Sequence, residues 1–235
     1  MAWRRALRWL LWSGVAAAGL VVAAALSSPL WLRPVAERQA SAVLGRPVSI
    51  GGLRLRPGDP LVLIAEDVVV GNPQDFPAGE EPFARVPRAV VRLDAWASLR
   101  RREVVVTSIE LERPALHVVA TEDGRANHRV GPSDGPAGGG AVPPIGALAI
   151  VDGHARISLA GLRADFEVAF ATEQGAAEGG GAPRIAAEAQ GTYAGQPVEA
   201  RFAGGAPHEL LRDPSKPWPV ELHLTNGPTR ASLNG

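Results

Sequence analysis

The sequence predicts a mainly β protein, with an N-terminal transmembrane helix and a short second helix followed by an elongated antiparallel sheet. Three observations lead to this fold class. A long uncharged run fills residues 9–32, the hydrophobic period becomes two residues from Val48 onward, and no long helical pattern follows Gly45. Alternating apolar and polar residues are typical of strands with one covered and one wet face. Without helices between the strands, a nucleotide-binding α/β fold is not expected.

The composition narrows the classes of function. The 235 residues carry 24 Lys and Arg against 24 Asp and Glu, so the formal net charge is zero. A protein that binds nucleic acid needs a surplus of basic residues to displace counterions from phosphates. Nucleic acid is therefore not an expected partner. The chain has no cysteine, which excludes disulfides, thiolate metal sites and cysteine nucleophiles.

The first 32 residues predict a membrane anchor. A basic N-terminus of residues 1–8 precedes the uncharged run 9–32, which is long enough to cross a hydrocarbon core that needs about 20 apolar residues. Tryptophans lie at both ends of the run, as in an interfacial aromatic belt. We expect three of them to anchor the span at the membrane surfaces: Trp9, Trp12 and Trp31.

A cleaved signal peptide is the alternative for this segment. Its apolar region would be about 7–15 residues long and followed by small residues. The run here is longer and continues through Leu30 and Leu32, which favours a retained transmembrane helix over residues 9–32. Arginines precede the run and none lies within it, so we expect the N-terminus in the cytoplasm and the rest of the chain outside it.

The remaining chain divides into a short helix and two β units. Residues 33–46 predict the helix, with Pro34 in its first turn and Gly45 at its end. A first β unit covers residues 47–130, a Gly/Pro-rich linker loop covers 131–144, and a second β unit covers 145–235 and is expected to continue in a longer protein. One helical turn is predicted between strands at residues 95–101.

No catalytic constellation is evident in the sequence. The histidines are not paired at metal-ligand spacing, no serine lies in a nucleophile elbow, and the glycine runs lack the lysine and helix of a phosphate loop. Asp152 and His154 flank Gly153, which we interpret as a turn between two strands rather than as a ligand pair. We therefore expect no catalytic residue, no metal and no cofactor.

Short turn motifs recur along the chain behind the predicted span. Each is explained by local chemistry, because Gly and Asn tolerate left-handed backbone and Pro restricts the residue before it. Together with Leu44 to Leu53, their order and spacing resemble the N-terminal region of the AsmA family of Gram-negative bacteria. His128 stands where that family usually has Trp. The residues that carry the resemblance at the turns are Gly71, Asn72, Pro73, Pro114, Asp123, Gly124, Asn127 and Gly191.

This resemblance implies a role in outer-membrane biogenesis. Members of the AsmA family are anchored in the inner membrane. Their periplasmic sheet curls into an apolar groove that is thought to guide phospholipid between membranes. The implied partners are the inner membrane, phospholipid and possible envelope proteins. A non-catalytic scaffold for envelope proteins is the alternative function, and a closed sandwich is the alternative to a groove. The candidate lipid-facing residues are Val91, Leu93, Ile109, Leu111, Phe166, Val168, Phe170, Val198, Phe202 and Leu222.

Overall fold

The computed structural model describes residues 29–77, 80–128, 145–175, 181–206, 209 and 217–235. They form one large, open, curled sheet with two short helices, which confirms the predicted mainly β fold. The helices are α1 (Pro29–Leu44) and α2 (Ala95–Arg101). The strands are β1 (Val48–Arg56), β2 (Leu61–Val70), β3 (Ala84–Leu93), β4 (Val106–Glu112), β5 (Ala115–Ala120), β6 (Leu148–Val151), β7 (Gly153–Leu159), β8 (Ala164–Gly175), β9 (Gly181–Tyr193), β10 (Gln196–Gly204), β11 (Val220–Asn226) and β12 (Thr229–Asn234).

Neighbouring strands of the sheet mostly follow one another in the sequence and run antiparallel, and two pairings depart from this. β4 and β5 both pair with β3, and β6 and β7 pair with β4 and β5 respectively. These last two pairings are parallel, so the prediction of a wholly antiparallel sheet is wrong here. β6 begins beside the start of β4, so β6 and β7 run in the same direction as β4 and β5. The two predicted β units are joined along this pairing, while the predicted linker 131–144 lies outside the described residues.

A line of left-handed residues crosses the first half of the sheet. Asp67, Arg113 and Asp152 have φ angles of 52°, 49° and 51°, and they interrupt neighbouring strand paths at matching register. Side chains normally alternate between the two faces of a strand, and each of these residues interrupts that alternation. The predicted turn at Asp152-Gly153 is therefore wrong, because β6 and β7 lie end to end and do not pair as a hairpin.

The interruption keeps apolar side chains on one face. In β2, Leu63 and Ala65 pack into the same core as Val68 and Val70, although the two pairs would point to opposite faces in a regular strand. This core also receives apolar residues of β1 and the apolar side of α1. Its buried members are Val48, Ile50, Leu53 and Ala65.

Helix α1 differs in extent from the short helix predicted over residues 33–46. It covers Pro29–Leu44, so Pro34 lies inside the helix and not in its first turn. The predicted stop is confirmed, since Gly45 follows the helix with a left-handed φ of 66°, a conformation that glycine adopts without penalty. Among the described residues, no helix is both long and apolar enough to cross a membrane.

Helix α2 confirms the helical turn predicted at residues 95–101. The carboxylate of Asp94 accepts a hydrogen bond of 2.7 Å from the backbone N–H of Ala97 and so caps the helix. The cap ends β3 and turns the chain toward β4.

The outer edge of β1 is closed by side chains of α1. Glu37 Oε1 accepts from the N–H of Ile50 at 2.8 Å, and Ser41 Oγ accepts from the N–H of Val48 at 2.9 Å. Arg33 donates to the carbonyl of Gly51 at 3.2 Å. The three helix residues are four positions apart and therefore line one side of α1. Unpaired strand edges invite pairing with other chains, and α1 covers the edge over the first four residues of β1.

Glu37 should make folding sensitive to acid. The hydrogen bond from Ile50 and then the contact with Arg33 lower the pKa of Glu37 below its usual 4.5. A pKa that is lower in the folded than in the unfolded chain stabilises the folded state at pH values above the unfolded pKa. This contribution is lost as the pH falls through the unfolded and then the folded pKa. We expect Glu37→Gln to flatten the loss of stability below about pH 5. The check is a comparison of unfolding midpoints of both proteins from pH 6 to pH 3, and parallel curves would contradict the expectation.

Candidate functional site

The ten candidate lipid-facing residues lie on the same face of the sheet, which we call the apolar face. Side chains of paired residues in neighbouring strands point to the same side, so the register assigns each residue to a face. Val91 pairs with Ile109 in the first half. In the second half, three pairs place the candidates of β8, β10 and β11 on one face: Phe170–Ala187, Ala187–Phe202 and Phe202–Leu222.

The apolar face is continuous with the core beneath α1. Val70 belongs to that core and pairs with Ala84, which pairs with Leu116. Leu116 pairs with Ala155, and Ala155 with Val168. The candidates are half-buried on this face, and Val198 is buried at 6% exposure. All twelve strands belong to one sheet, so the described residues do not form the two-sheet sandwich that was the alternative.

A line of paired positions, most of them alanine, crosses the strands along the apolar face. It continues from Val168 through Ala189 and Ala200 to Leu224 and Ala231. Larger side chains flank this line in β8 and β10, and we call the line of paired positions the trough. From β3 to β12 the trough crosses seven strand spacings, about 34 Å at about 4.8 Å each. The large residues beside it are Ile157, Phe166 and Val198 on one side, and Phe170, Phe202 and Leu222 on the other.

Aromatic rings on the apolar face cover glycines of the adjacent strand. A Cβ added at Gly153 would lie 2.5 Å from the ring of its partner Phe170, and one at Gly191 would lie 2.8 Å from the ring of Phe166. The indole of Trp218 covers Gly204 in the same way. These rings therefore pack over the glycine backbone of the adjacent strand. These pairs could not be predicted from the sequence, because the register that brings each ring to its glycine is not visible in one strand.

The opposite face is charged and carries a cavity lined by residues of several strands. This shallow cavity of about 670 Å³ extends from the loop before β3 to β10. Most charges on this face are balanced by cross-strand ion pairs, such as Arg201 with Glu188 at 3.3 Å. The sequence predicted these polar positions but not that they would share a cavity. Its lining includes Arg85, His117, Arg156, Glu167, Glu188 and Arg201.

Three of the sequence motifs meet in a buried polar network. Asn127 is fully buried, and its Oδ1 accepts from the N–H of Val119 at 2.7 Å. Its Nδ2 donates to the carbonyl of His117 at 2.7 Å and to Oδ1 of Asn72 at 3.1 Å. Arg46, only 4% exposed, donates to the carbonyl of Asn127 at 3.0 Å. The network ties the turn after β2 and the turn after β5 to the end of α1.

The burial of Arg46 has an electrostatic consequence. Burial lowers the pKa of its guanidinium, and the group lies 4.5 Å from the centre of the Phe83 ring, a cation–π geometry. The group also holds the Asn127 turn in place. We assign Arg46, Asn72 and Asn127 to the stabilisation of the fold. The sequence analysis singled out two of the three as turn residues and did not foresee that they touch.

Of the remaining motif residues, Gly191 lies within β9 and pairs with Phe166, so its placement at a turn is wrong, whereas the others lie in turns or between strands. Asp123 accepts from the side chains of Arg125 and Thr121, and these bonds lower the pKa of Asp123 to about 2. Gly124 follows with a left-handed φ of 82°. Gly71 donates to the carbonyl of Pro47 at 2.8 Å, and a Cβ there would lie 2.7 Å from the Pro47 ring. Pro73 follows Asn72, and Pro114 joins β4 to β5.

The predicted anchor tryptophans and the histidines complete the set of residues considered from the sequence. Trp9 and Trp12 lie outside the described residues, and Trp31 lies within α1. In the described part of the chain, no group of three or more His, Asp or Glu side chains is arranged to hold a metal ion. His154 Nδ1 lies 3.1 Å from the carbonyl of Asp152. His117 Nδ1 lies 3.6 Å from Glu81.

Comparison with known proteins provides no assignment. No family model matches the chain, and no match is found among curated proteins or solved structures. The AsmA resemblance therefore remains an expectation based on the motifs.

Proposed function

We propose that this protein is an inner-membrane-anchored, AsmA-like scaffold that binds phospholipid along the apolar face and guides it between membranes. The observation that carries the proposal is the extent of this face. It crosses the strands from β1 to β12, and α1 packs over it at β1 and β2. From β7 to β11 its described aliphatic and aromatic side chains are partly exposed, apart from buried ones such as Val198 and Ala164.

The chemistry of the apolar face suits an acyl chain better than a polar ligand. Burial of each CH₂ group contributes about 0.8 kcal/mol, so a chain lying in the trough needs no specific polar contact. The trough runs across the strands, which is the direction along the sheet away from α1. A lipid tail can shift along it by small steps because its floor is mainly alanine and no charged side chain pairs into it between Ala155 and Ala231.

The proposal includes an orientation and a cell compartment. The basic residues 1–8 would lie in the cytoplasm, the span 9–32 in the inner membrane and the sheet in the periplasm. The sheet would act without catalysis, metal or cofactor. Protease added to spheroplasts should digest the sheet domain and spare the N-terminus, and protection of the sheet would reject this orientation.

Photo-crosslinking can test the proposed lipid contact on two faces of one strand. A crosslinking residue at Val168 lies on the apolar face, and one at the adjacent Glu167 lies on the charged face. We expect phospholipid adducts at Val168 at least about fivefold above those at Glu167, because successive side chains of a strand face opposite sides. The readout is mass spectrometry of the full-length protein after illumination in membranes.

A variant in the trough serves as the matched functional control. Ala200→Phe fills the floor of the trough and should lower the adducts at Val168 severalfold, whereas Ala169→Phe on the charged face should leave them unchanged. Equal labelling at Val168 and Glu167 would reject lipid binding by this face. A stoichiometric protein recovered without lipid would favour the scaffold alternative.

A further inference from the structure

Helix α2 and the residues after it carry exposed apolar side chains. Trp96 and Leu99 are 65% and 71% exposed, the highest values among the described large apolar residues, and Val104 is 55% exposed. The other side of the helix is fixed to the sheet, because Ala97 is buried and Ser98 Oγ accepts from the backbone N–H before β4 at 3.0 Å. Trp96 and Leu99 lie three positions apart and therefore share the outward side of α2. This side is thus apolar, held in place and largely uncovered by the described residues.

Positive charge lies beside these apolar side chains. Arg100, Arg101 and Arg102 are the one run of three consecutive basic residues in the sequence, and Glu103 is the one acid between residues 95 and 104. All three arginines are exposed, and their side chains form no ion pair with another described residue. An arginine can lay its methylene groups on an apolar surface while its charged end reaches into water or to a phosphate. We call residues 96–104 the α2 patch.

Helix α1 shows which end of the sheet the α2 patch occupies. Ser41 contacts Val48 whereas Arg33, earlier in the helix, contacts Gly51, so α1 runs antiparallel to β1. The start of α1 therefore points toward the end of β1, where β2 begins and β3 ends. Helix α2 directly follows β3. Because the predicted span 9–32 leads into α1, the α2 patch lies at the end of the sheet that faces this span.

We propose that the α2 patch is a second contact of this protein with the membrane from which the predicted span emerges. Trp96 and Leu99 insert among the lipid headgroups, as tryptophan does at bilayer surfaces, and the arginines bind anionic headgroups. The partner is a bilayer surface because the apolar side chains lie beside unpaired positive charge and on the side where the chain enters the span. The inference rests on the anchored orientation in the proposed function, and it does not depend on lipid transport.

Fluorescence quenching tests the contact at one labelled position, because the natural chain has no cysteine. A dye on Leu99→Cys in the full-length protein is measured in vesicles of phosphatidylcholine and phosphatidylglycerol that contain a nitroxide-labelled lipid. Leu162→Cys is the matched control, since Leu162 is 54% exposed and follows β7. β5 begins beside the start of β3 and extends away from α2, and β7 runs parallel to β5, so Leu162 lies at the opposite end of the sheet. We expect quenching at position 99 at least about threefold above that at position 162.

Charge variants separate the role of the arginines from that of the apolar side chains. Arg100→Gln combined with Arg101→Gln should lower the quenching at position 99 by about half, and vesicles of phosphatidylcholine alone should have the same effect on the natural arginines. Arg201→Gln combined with Arg230→Gln removes the same charge from β10 and β12 and should leave the quenching unchanged.

Flotation with the vesicles distinguishes this inference from the proposed function. A protein that floats but shows equal quenching at positions 99 and 162 overturns the membrane contact and leaves the anchor intact. A protein that does not float overturns the anchored orientation and this inference together. Protection of Leu99→Cys from a water-soluble thiol reagent in native membranes, without quenching in vesicles, would assign the α2 patch to a protein partner and also overturn the inference.

Discussion

Asn127→Ala is expected to lower the free energy of unfolding by about 4 kcal/mol. The substitution removes the acceptor for the N–H of Val119 and the donor to the carbonyl of His117, both at 2.7 Å. Asn127 is fully buried, so water does not readily replace these bonds. Each buried polar group that loses its partner costs about 1–3 kcal/mol. Loss of the Asn127 side chain also frees Asn72 and loosens the turn that Arg46 holds.

Urea unfolding of the full-length protein in detergent, followed by tryptophan fluorescence, measures this effect. The midpoint should fall while the slope of the free energy against urea stays unchanged. Asn72→Ala is the matched control, because Asn72 is only partly buried and its side chain makes two hydrogen bonds, to the carbonyl of Glu81 and from Asn127. It should cost about 1 kcal/mol. A loss below about 1 kcal/mol for Asn127→Ala would show that the network does not stabilise the fold.

Gly191→Ala should destabilise the sheet by about 3 kcal/mol. A Cβ at this position would lie 2.0 Å from the carbonyl oxygen of Asp165 and 2.8 Å from Cα of Phe166. Both are backbone atoms of β8, so no side-chain rotation relieves the overlap and the two strands must separate. Gly191 pairs with Phe166 inside the β8–β9 ladder, two pairs from its end, so separation of the strands also breaks hydrogen bonds.

The comparison with Gly161→Ala isolates this steric effect. A Cβ at Gly161 meets no atom within 4 Å, and its backbone is not left-handed. The loss of unfolded-state entropy should then stabilise the protein slightly, by up to about 1 kcal/mol. Thermal unfolding of both variants beside the natural chain is the measurement. Removal of the ring in a Phe166→Ala, Gly191→Ala double variant should not restore stability, because the closest contact is with backbone.

The apolar face could be predicted because it depends on neighbouring residues of the same strand. Phe166, Val168 and Phe170 alternate with polar residues, and this period places them on one side without knowledge of any partner strand. The turn predicted at Gly191 is displaced, because Gly191 lies within β9 and the turn to β10 follows Tyr193. There Ala194 and Gly195 both have positive φ, at 50° and 80°, as a two-residue hairpin requires.

Other features of the site depend on residues distant in the sequence. Asn127 meets Arg46 from 81 positions away and Asn72 from 55, and each residue alone reads only as an ordinary turn or helix-end residue. The outer edge of β1 is likewise closed by Glu37 only because α1 folds back along it. No local pattern predicts such contacts, since the energy that favours them comes from burial after the strands have assembled.

By itself the sequence determined that the described chain is built of strands, which side of each strand is apolar, and where α1 ends. Only the tertiary structure decided the order and direction of the strands. The parallel pairs β4–β6 and β5–β7 and the left-handed residues Asp67, Arg113 and Asp152 belong to this second group. Alternation is a property of one strand and its faces, whereas pairing is set by the long-range packing that joins the apolar faces of successive strands into one surface and also buries Ile64 and Val90 on the other side of β2 and β3.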